Sequence, residues 1–277
     1  MARFRCDRPL DDRLVDFVSE SFTEGGVTRT IYRKGSGPAV VVMTEIPGIT
    51  PQVANFARRV AAIGCTAVMP SLFGDDGRVA VPANSARVSA HRVATIGRLC
   101  ISREFTIFAT GQSSPAVRWL RGLARHEHER CGGPGVGAIG MCFSGGFALS
   151  MAIDETILAP VLAQPGLPVA LGRRRAHSID ISDADIKKVQ SRCAAGLQVM
   201  GVRFEGDKMS PPARFTYLRQ QLGEAFLAIE LPDDSALPGT GMAPHSPLTV
   251  HLIDEPDEPT QRALTEVLDF FARKLLG

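Results

Sequence analysis

Short apolar runs alternate with stretches whose apolar residues recur every three to four positions, which predicts a mainly parallel sheet with helices on both faces. Val27 to Lys34 reads as an early strand that stops at the turn residues Gly35-Ser36-Gly37-Pro38. Ala39-Val40-Val41-Val42-Met43 is unbroken and largely β-branched, as expected of a strand buried on both sides. Pro51 to Ile63 carries Val53, Phe56, Ala57, Val60 and Ala61 at helical spacing behind a first-turn proline. Further strands are expected at Cys65 to Met69, Val136 to Gly140, Ile157 to Ala163, Leu197 to Phe204 and Ala225 to Leu231. Further helices are expected at Pro115 to Glu129, Phe143 to Ile153, Pro211 to Leu222 and Thr260 to Leu276. Between Asp75 and Gly111 the pattern weakens to a possible helix from Asn84 to Leu99. No repeat and no low-complexity linker interrupts the series. The expectation is one doubly wound domain over residues 1–277, with an irregular insertion near 165–195.

Composition removes several function classes. The 277 residues are 44% apolar and 22% charged, ordinary for a globular chain with a full core. With 31 basic against 29 acidic residues, the net charge of +2 gives no reason to expect nucleic acid or an anionic membrane as partner. Arg173-Arg174-Arg175 reads as a solvated loop. No apolar run approaches the roughly 18 residues of a membrane span. The first residues turn polar at once, so no secretory signal is expected. Six scattered cysteines without a CxxC pair then fit free thiols in the cytoplasm. His126-Glu127-His128 has no cysteine pair at ligand spacing, and neither metal nor organic cofactor is expected.

The chemistry concentrates in Val136-Gly137-Ala138-Ile139-Gly140-Met141-Cys142-Phe143-Ser144-Gly145-Gly146. A strand ends, a potential nucleophile follows, and a helix begins at once, which is the context of a nucleophile elbow. The helix N-terminus favours a thiolate, and the Phe143 N–H can face an oxyanion. A buried structural cysteine is the competing reading. The segment Gly140 to Gly146 resembles the Gly-x-Cys-x-Gly-Gly elbow of the dienelactone hydrolase family, except that Ser144 stands where the family has glycine. Val40 to Gly48 is similar to the family's strand ending in Glu-Ile-x-Gly. Glu205-Gly206-Asp207, closing a strand shortly before Pro211, matches the surroundings of its triad aspartate. The likeness runs in order over roughly residues 25–275, loosely in the middle.

That resemblance implies an α/β-hydrolase fold and hydrolysis of small esters or lactones through a thioester, with Cys142 as nucleophile and Asp207 as acid. It also implies Glu45 beside the resting cysteine, and the Ile46 and Phe143 N–H groups as oxyanion hole. Chain order places the base after Asp207, at His245 in a glycine-containing loop or at His251 among apolar residues. His245 is preferred, because His245-Ser246 is similar to the family's Gly-His-Ser segment with Pro244 in place of glycine. A turn or helix-cap role competes for Asp207, and an arginine ion pair for Glu45. Arginines hold a substrate carboxylate in some family members, which makes Arg78, Arg87 and Arg103 candidates. Two other readings stay open. One is a non-catalytic scaffold that binds a small ligand or senses oxidants through Cys142; the other is a serine enzyme using Ser144. The expected partner is a small ester or lactone, and the chain is expected to be a monomer or homodimer.

Overall fold

The computed structural model describes residues 11–74, 76–79, 110–111 and 113–277. Eight strands form one sheet: β1 (Val18–Glu24), β2 (Val27–Gly35), β3 (Ala39–Met43), β4 (Thr66–Pro70), β5 (Val136–Met141), β6 (Ile157–Ala163), β7 (Val199–Phe204) and β8 (Phe226–Leu231). Their order across the sheet is β1-β2-β4-β3-β5-β6-β7-β8. Pairing is antiparallel for β1 with β2 and β2 with β4, and parallel from β4 through to β8.

The continuous apolar run of β3 is explained by its place between β4 and β5, where every one of its residues is fully buried. Because side chains alternate along a strand, consecutive residues feed two separate cores. Val41, Met43, Ala138 and Leu162 pack on one face with Leu120 and Leu123 of helix α2 (Ala116–Cys131). Val40, Val42, Ile139, Met141 and Val161 pack on the other with Val53 and Phe56 of α1 (Pro51–Ala62) and Val267 and Phe271 of the C-terminal helix (Pro259–Leu275). The result is the helix-covered, mainly parallel sheet expected of an α/β-hydrolase fold. The first helix starts as its sequence suggests: the Thr50 hydroxyl accepts from the Val53 N–H at 3.3 Å and proline opens the first turn.

Three expectations change. The helix expected from Phe143 to Ile153 is a 3₁₀ turn at Cys142–Ser144 followed by a short α3 (Phe147–Met151), because the elbow must turn sharply before the helix can run. The stretch near 165–195 is not irregular throughout: it contains α4 (Arg173–Ala176) and α5 (Asp183–Ala194), whose Ser182 cap accepts from the Asp185 N–H. Strand β1 was not expected, since Val-Ser-Glu-Ser-Phe-Thr-Glu is too polar to signal a strand. It pairs along its full length with β2 at the sheet edge, and Phe22 packs edge-on against Trp119 at 5.4 Å. The expected helix Asn84 to Leu99 lies outside the described residues. Helices α6 (Pro212–Leu222) and α7 (Pro259–Leu275) complete the fold, and no described helix is long and apolar enough to cross a membrane.

One buried ion pair ties the antiparallel edge to the helical layer. Arg33 of β2 sends its Nε to both carboxylate oxygens of Glu127, each at 2.9 Å, and Glu127 is completely buried on α2. This partnership accounts for the acidic residue of His126-Glu127-His128. Removing one member strands the other charge away from water. Glu127→Ala is therefore expected to lower stability by about 3–5 kcal/mol in urea unfolding; a loss under about 1 kcal/mol would show that the pair contributes little.

Candidate active site

Cys142 occupies the first position after β5 with φ of +53°, the left-handed region that costs a side-chain-bearing residue about 1–2 kcal/mol. The neighbourhood is built to hold it there. A Cβ on Gly140 would lie 2.0 Å from the Ser144 carbonyl oxygen, and one on Gly145 would lie 2.4 Å from Pro165 Cα. Glycine is thus demanded at 140 and 145, and a serine fits between them. Ser144 is fully buried and points beneath the turn. Its Oγ accepts from the Met141 N–H at 3.0 Å and faces the carbonyls of Met43, Thr44 and Met141 at 3.0–3.1 Å, one of which takes its proton. The hydroxyl thereby stitches the end of β3 to the end of β5. From the third side, the Gly166 N–H donates to the Cys142 carbonyl at 2.6 Å, and a Cβ at 166 would stand 3.6 Å from Sγ.

The residues expected as acid and base meet. His245 Nδ1 lies 2.7 Å from Asp207 Oδ2, both residues being about 97% buried. The Met209 N–H donates to the other Asp207 oxygen at 2.9 Å. Helix α6 takes its cap from Pro211 without a side-chain bond, so capping is not what Asp207 does. Arg203, fully buried on β7, fixes the acid-bearing turn by donating to the carbonyls of Ser210 and Glu205 at 2.8 and 2.6 Å. His245 Nε2 is buried and has no hydrogen-bond partner among the described residues. Burial pushes the His245 pKa down, but the charge of Cys142 and the hydrogen bond that the imidazole donates to Asp207 outweigh it and hold the value well above the ordinary one. The imidazole is thus bonded to the carboxylate at Nδ1 and feels the charge of the elbow cysteine.

Glu45 is buried at the turn after β3 and accepts from Ser246 Oγ at 2.7 Å, Thr249 Oγ1 at 2.8 Å and more distantly Gln164 Nε2 at 3.4 Å. Its two shorter bonds go to the histidine loop and none to Cys142, and no arginine pairs with it among the described residues. His251 does not reach the acid. Its Nδ1 accepts from the backbone N–H of Ser246 at 3.1 Å and its Nε2 meets Thr240 Oγ1 at 3.0 Å. Ile46 follows Glu45 on the turn after β3, and Phe143 follows the cysteine with its ring edge-on to Phe73 at 5.3 Å. Arg78 is exposed on the segment after β4, while Arg87 and Arg103 lie outside the described residues.

Arg214, fully buried on α6, has no counterpart among the residues that the sequence singles out. Its Nη atoms reach the carbonyls of Pro165, Pro168 and Met209, so it clamps the segment that touches Cys142. Burial pulls its pKa down to about 10, against the opposing charges of Asp207 and Cys142. A helical arginine among Phe215 and Leu218 carries no periodic signal that distinguishes it from a surface cation.

Because Cys142 is the largest influence raising the His245 pKa, Cys142→Ala is expected to lower that pKa, read from the imidazole C2 proton titration by NMR. Since the raised value stabilises the fold below the unfolded histidine pKa of about 6.5 and is lost as pH rises through the folded value, the same substitution should shrink the stability advantage of mildly acidic solution. An unmoved titration would mean that sulfur and imidazole are not coupled.

Comparison with known proteins places this arrangement. The model of the dienelactone hydrolase family matches residues 28–188. No curated protein matches the chain. Among solved structures, a putative dienelactone hydrolase from Klebsiella pneumoniae superposes with a TM-score of 0.58 at 16% identity, covering 93% of this chain and 99% of that one. The dienelactone hydrolase of Anabaena variabilis gives 0.59 at 13% identity, with 94% and 98% covered. A dienelactone hydrolase-like promiscuous phosphotriesterase from metagenomic libraries gives 0.58 at 17%, again with 94% and 98% covered. At such identities the superpositions speak for the fold, and the family match spans more than half the sequence. The chain belongs to the dienelactone hydrolase family of ester-bond hydrolases.

Proposed function

We propose that the chain hydrolyses small carboxylic esters or lactones with a Cys142–His245–Asp207 triad through a thioester intermediate. The observation that carries this reading is the 2.7 Å bond that His245 Nδ1 makes to Asp207, which leaves Nε2 without a partner among the described residues while Cys142 is held at a left-handed elbow. Asp207 fixes the tautomer with the proton on Nδ1, so that Nε2 can take the thiol proton. The thiolate attacks the carbonyl carbon, and the Ile46 and Phe143 N–H groups receive the oxyanion that forms. Collapse breaks the ester C–O bond, and His245 returns its proton to the leaving alkoxide. Water, losing a proton to the same nitrogen, then cleaves the thioester and frees Cys142.

Glu45 enters as a brace. Its oxygens hold Ser246 and Thr249, on either side of the turn that follows His245, which ties the base to the same β3 turn that presents Ile46. Ser144 is unsuited to be the nucleophile, because its hydroxyl is fully buried and engaged with the backbone beneath the turn. Arginine recognition of a substrate carboxylate stays a proposal for Arg78 and Arg103.

The test is hydrolysis of p-nitrophenyl acetate and of a small unsaturated lactone by the wild type and three variants. Cys142→Ala and His245→Ala are expected to lose about 10³-fold or more in kcat/KM. Ser144→Ala should keep turnover within about tenfold while losing about 1–3 kcal/mol of stability, since it leaves the Met141 N–H unpaired. Full activity in Cys142→Ala would remove the cysteine from the reaction. Inactivity of the wild type toward both compounds would favour a scaffold that binds a ligand or senses oxidants.

A further inference from the structure

His251 is the second buried histidine of the site, and the triad does not use it. It is 1% exposed, packs edge-on to Phe204 at the end of β7, and spans two parts of the loop between β8 and α7. Its Nδ1 receives two backbone donors, the N–H of His245 at 3.4 Å and that of Ser246 at 3.1 Å. An atom that accepts two N–H groups carries no proton, so the neutral ring must hold its hydrogen on Nε2. That N–H points at Thr240 Oγ1, 3.0 Å away, and the Thr240 hydroxyl in turn faces the Met242 carbonyl at 3.3 Å. The backbone closes the same loop, with the His251 N–H on the Ser246 carbonyl at 2.9 Å and the Leu237 N–H on the His251 carbonyl at 3.0 Å.

We propose that His251 is a positioning residue for catalysis: its unprotonated Nδ1 holds the main chain at His245 and Ser246, setting the direction in which the catalytic imidazole projects. The inference rests on His245 being the base. The ring's ionisation agrees with the geometry: burial, and then the neighbouring positive charge of His245, push the His251 pKa down to about 4, so Nδ1 remains an acceptor at neutral pH. Glu45 grips Ser246 and Thr249 through their side chains while His251 grips the backbone, so the base is located by two independent contacts. A packing role alone would ask only for a ring-sized apolar group beside Phe204. The acceptor role asks for a lone pair at one position.

That difference selects the test. Asparagine places its Oδ1 where Nδ1 stands and preserves the acceptor, whereas glutamine reaches toward Thr240 and leucine supplies only bulk. His251→Asn is expected to keep kcat/KM within about threefold of wild type, and His251→Gln and His251→Leu to lose about tenfold or more in kcat with KM changed little. Equal retention or equal loss across the three variants would overturn the proposal. Should the substituted chains fail to fold, the wild type decides: long-range ¹H–¹⁵N spectra of its imidazoles at pH 7 should show His251 protonated at Nε2 only. Each ring would be assigned by substituting the other histidines in turn. A proton on Nδ1 would overturn the proposal whatever the variants do. Undiminished activity in His245→Ala would instead defeat the triad reading and leave the tautomer result standing.

Discussion

The site depends on a single backbone constraint, the left-handed turn at Cys142. A residue with a β-carbon resists this conformation, and it persists because the surroundings leave no alternative. Gly140 and Gly145 yield the space that any side chain would fill, Ser144 fastens the underside to β3, and the Gly166 N–H takes the Cys142 carbonyl. The sheet makes this possible by aligning the ends of β3, β5 and β6 side by side, so three loops converge on one residue. The cost of the turn is thus met by packing and hydrogen bonds that lie outside the reacting atoms. In return the sulfur stands clear of the backbone at the start of a helical turn.

Around it the charged groups are sorted by what holds them. Asp207 is fixed by the Met209 N–H and by Arg203 bracing its turn, and spends its second oxygen on His245. Glu45 is given neutral donors only, which suits a carboxylate that locates a loop. Arg214 directs its Nη donors to backbone carbonyls, so it clamps the loop without an ion pair consuming Asp207. A paired arginine would compete with the imidazole for the same oxygens.

Much of this was legible in the sequence, for identifiable reasons. Strands buried on both faces, such as Ala39–Met43, announce themselves by unbroken apolar runs, and the elbow by its glycines between strand and helix. Asp207 and His245 follow from chain order and from the resemblance. Strand β1 was hidden because an edge strand can be polar on nearly every residue, and α5 because only Ile186 and Val189 are buried along its twelve positions. Glu127 and Arg214 are buried charges whose partners come from distant parts of the chain, and periodicity does not report such pairings. The replacement of the family's glycine by Ser144 read as a second candidate nucleophile; only its contacts show a hydroxyl turned inward to the backbone.

The central claim is that the acyl group passes through Cys142. The most direct measurement is intact and peptide mass spectrometry of wild type quenched in acid soon after mixing with p-nitrophenyl acetate. The account predicts one added acetyl group, mapped to Cys142 and removed by hydroxylamine as a thioester is. An acetyl group on Ser144, or steady turnover with Cys142 never modified, would contradict it.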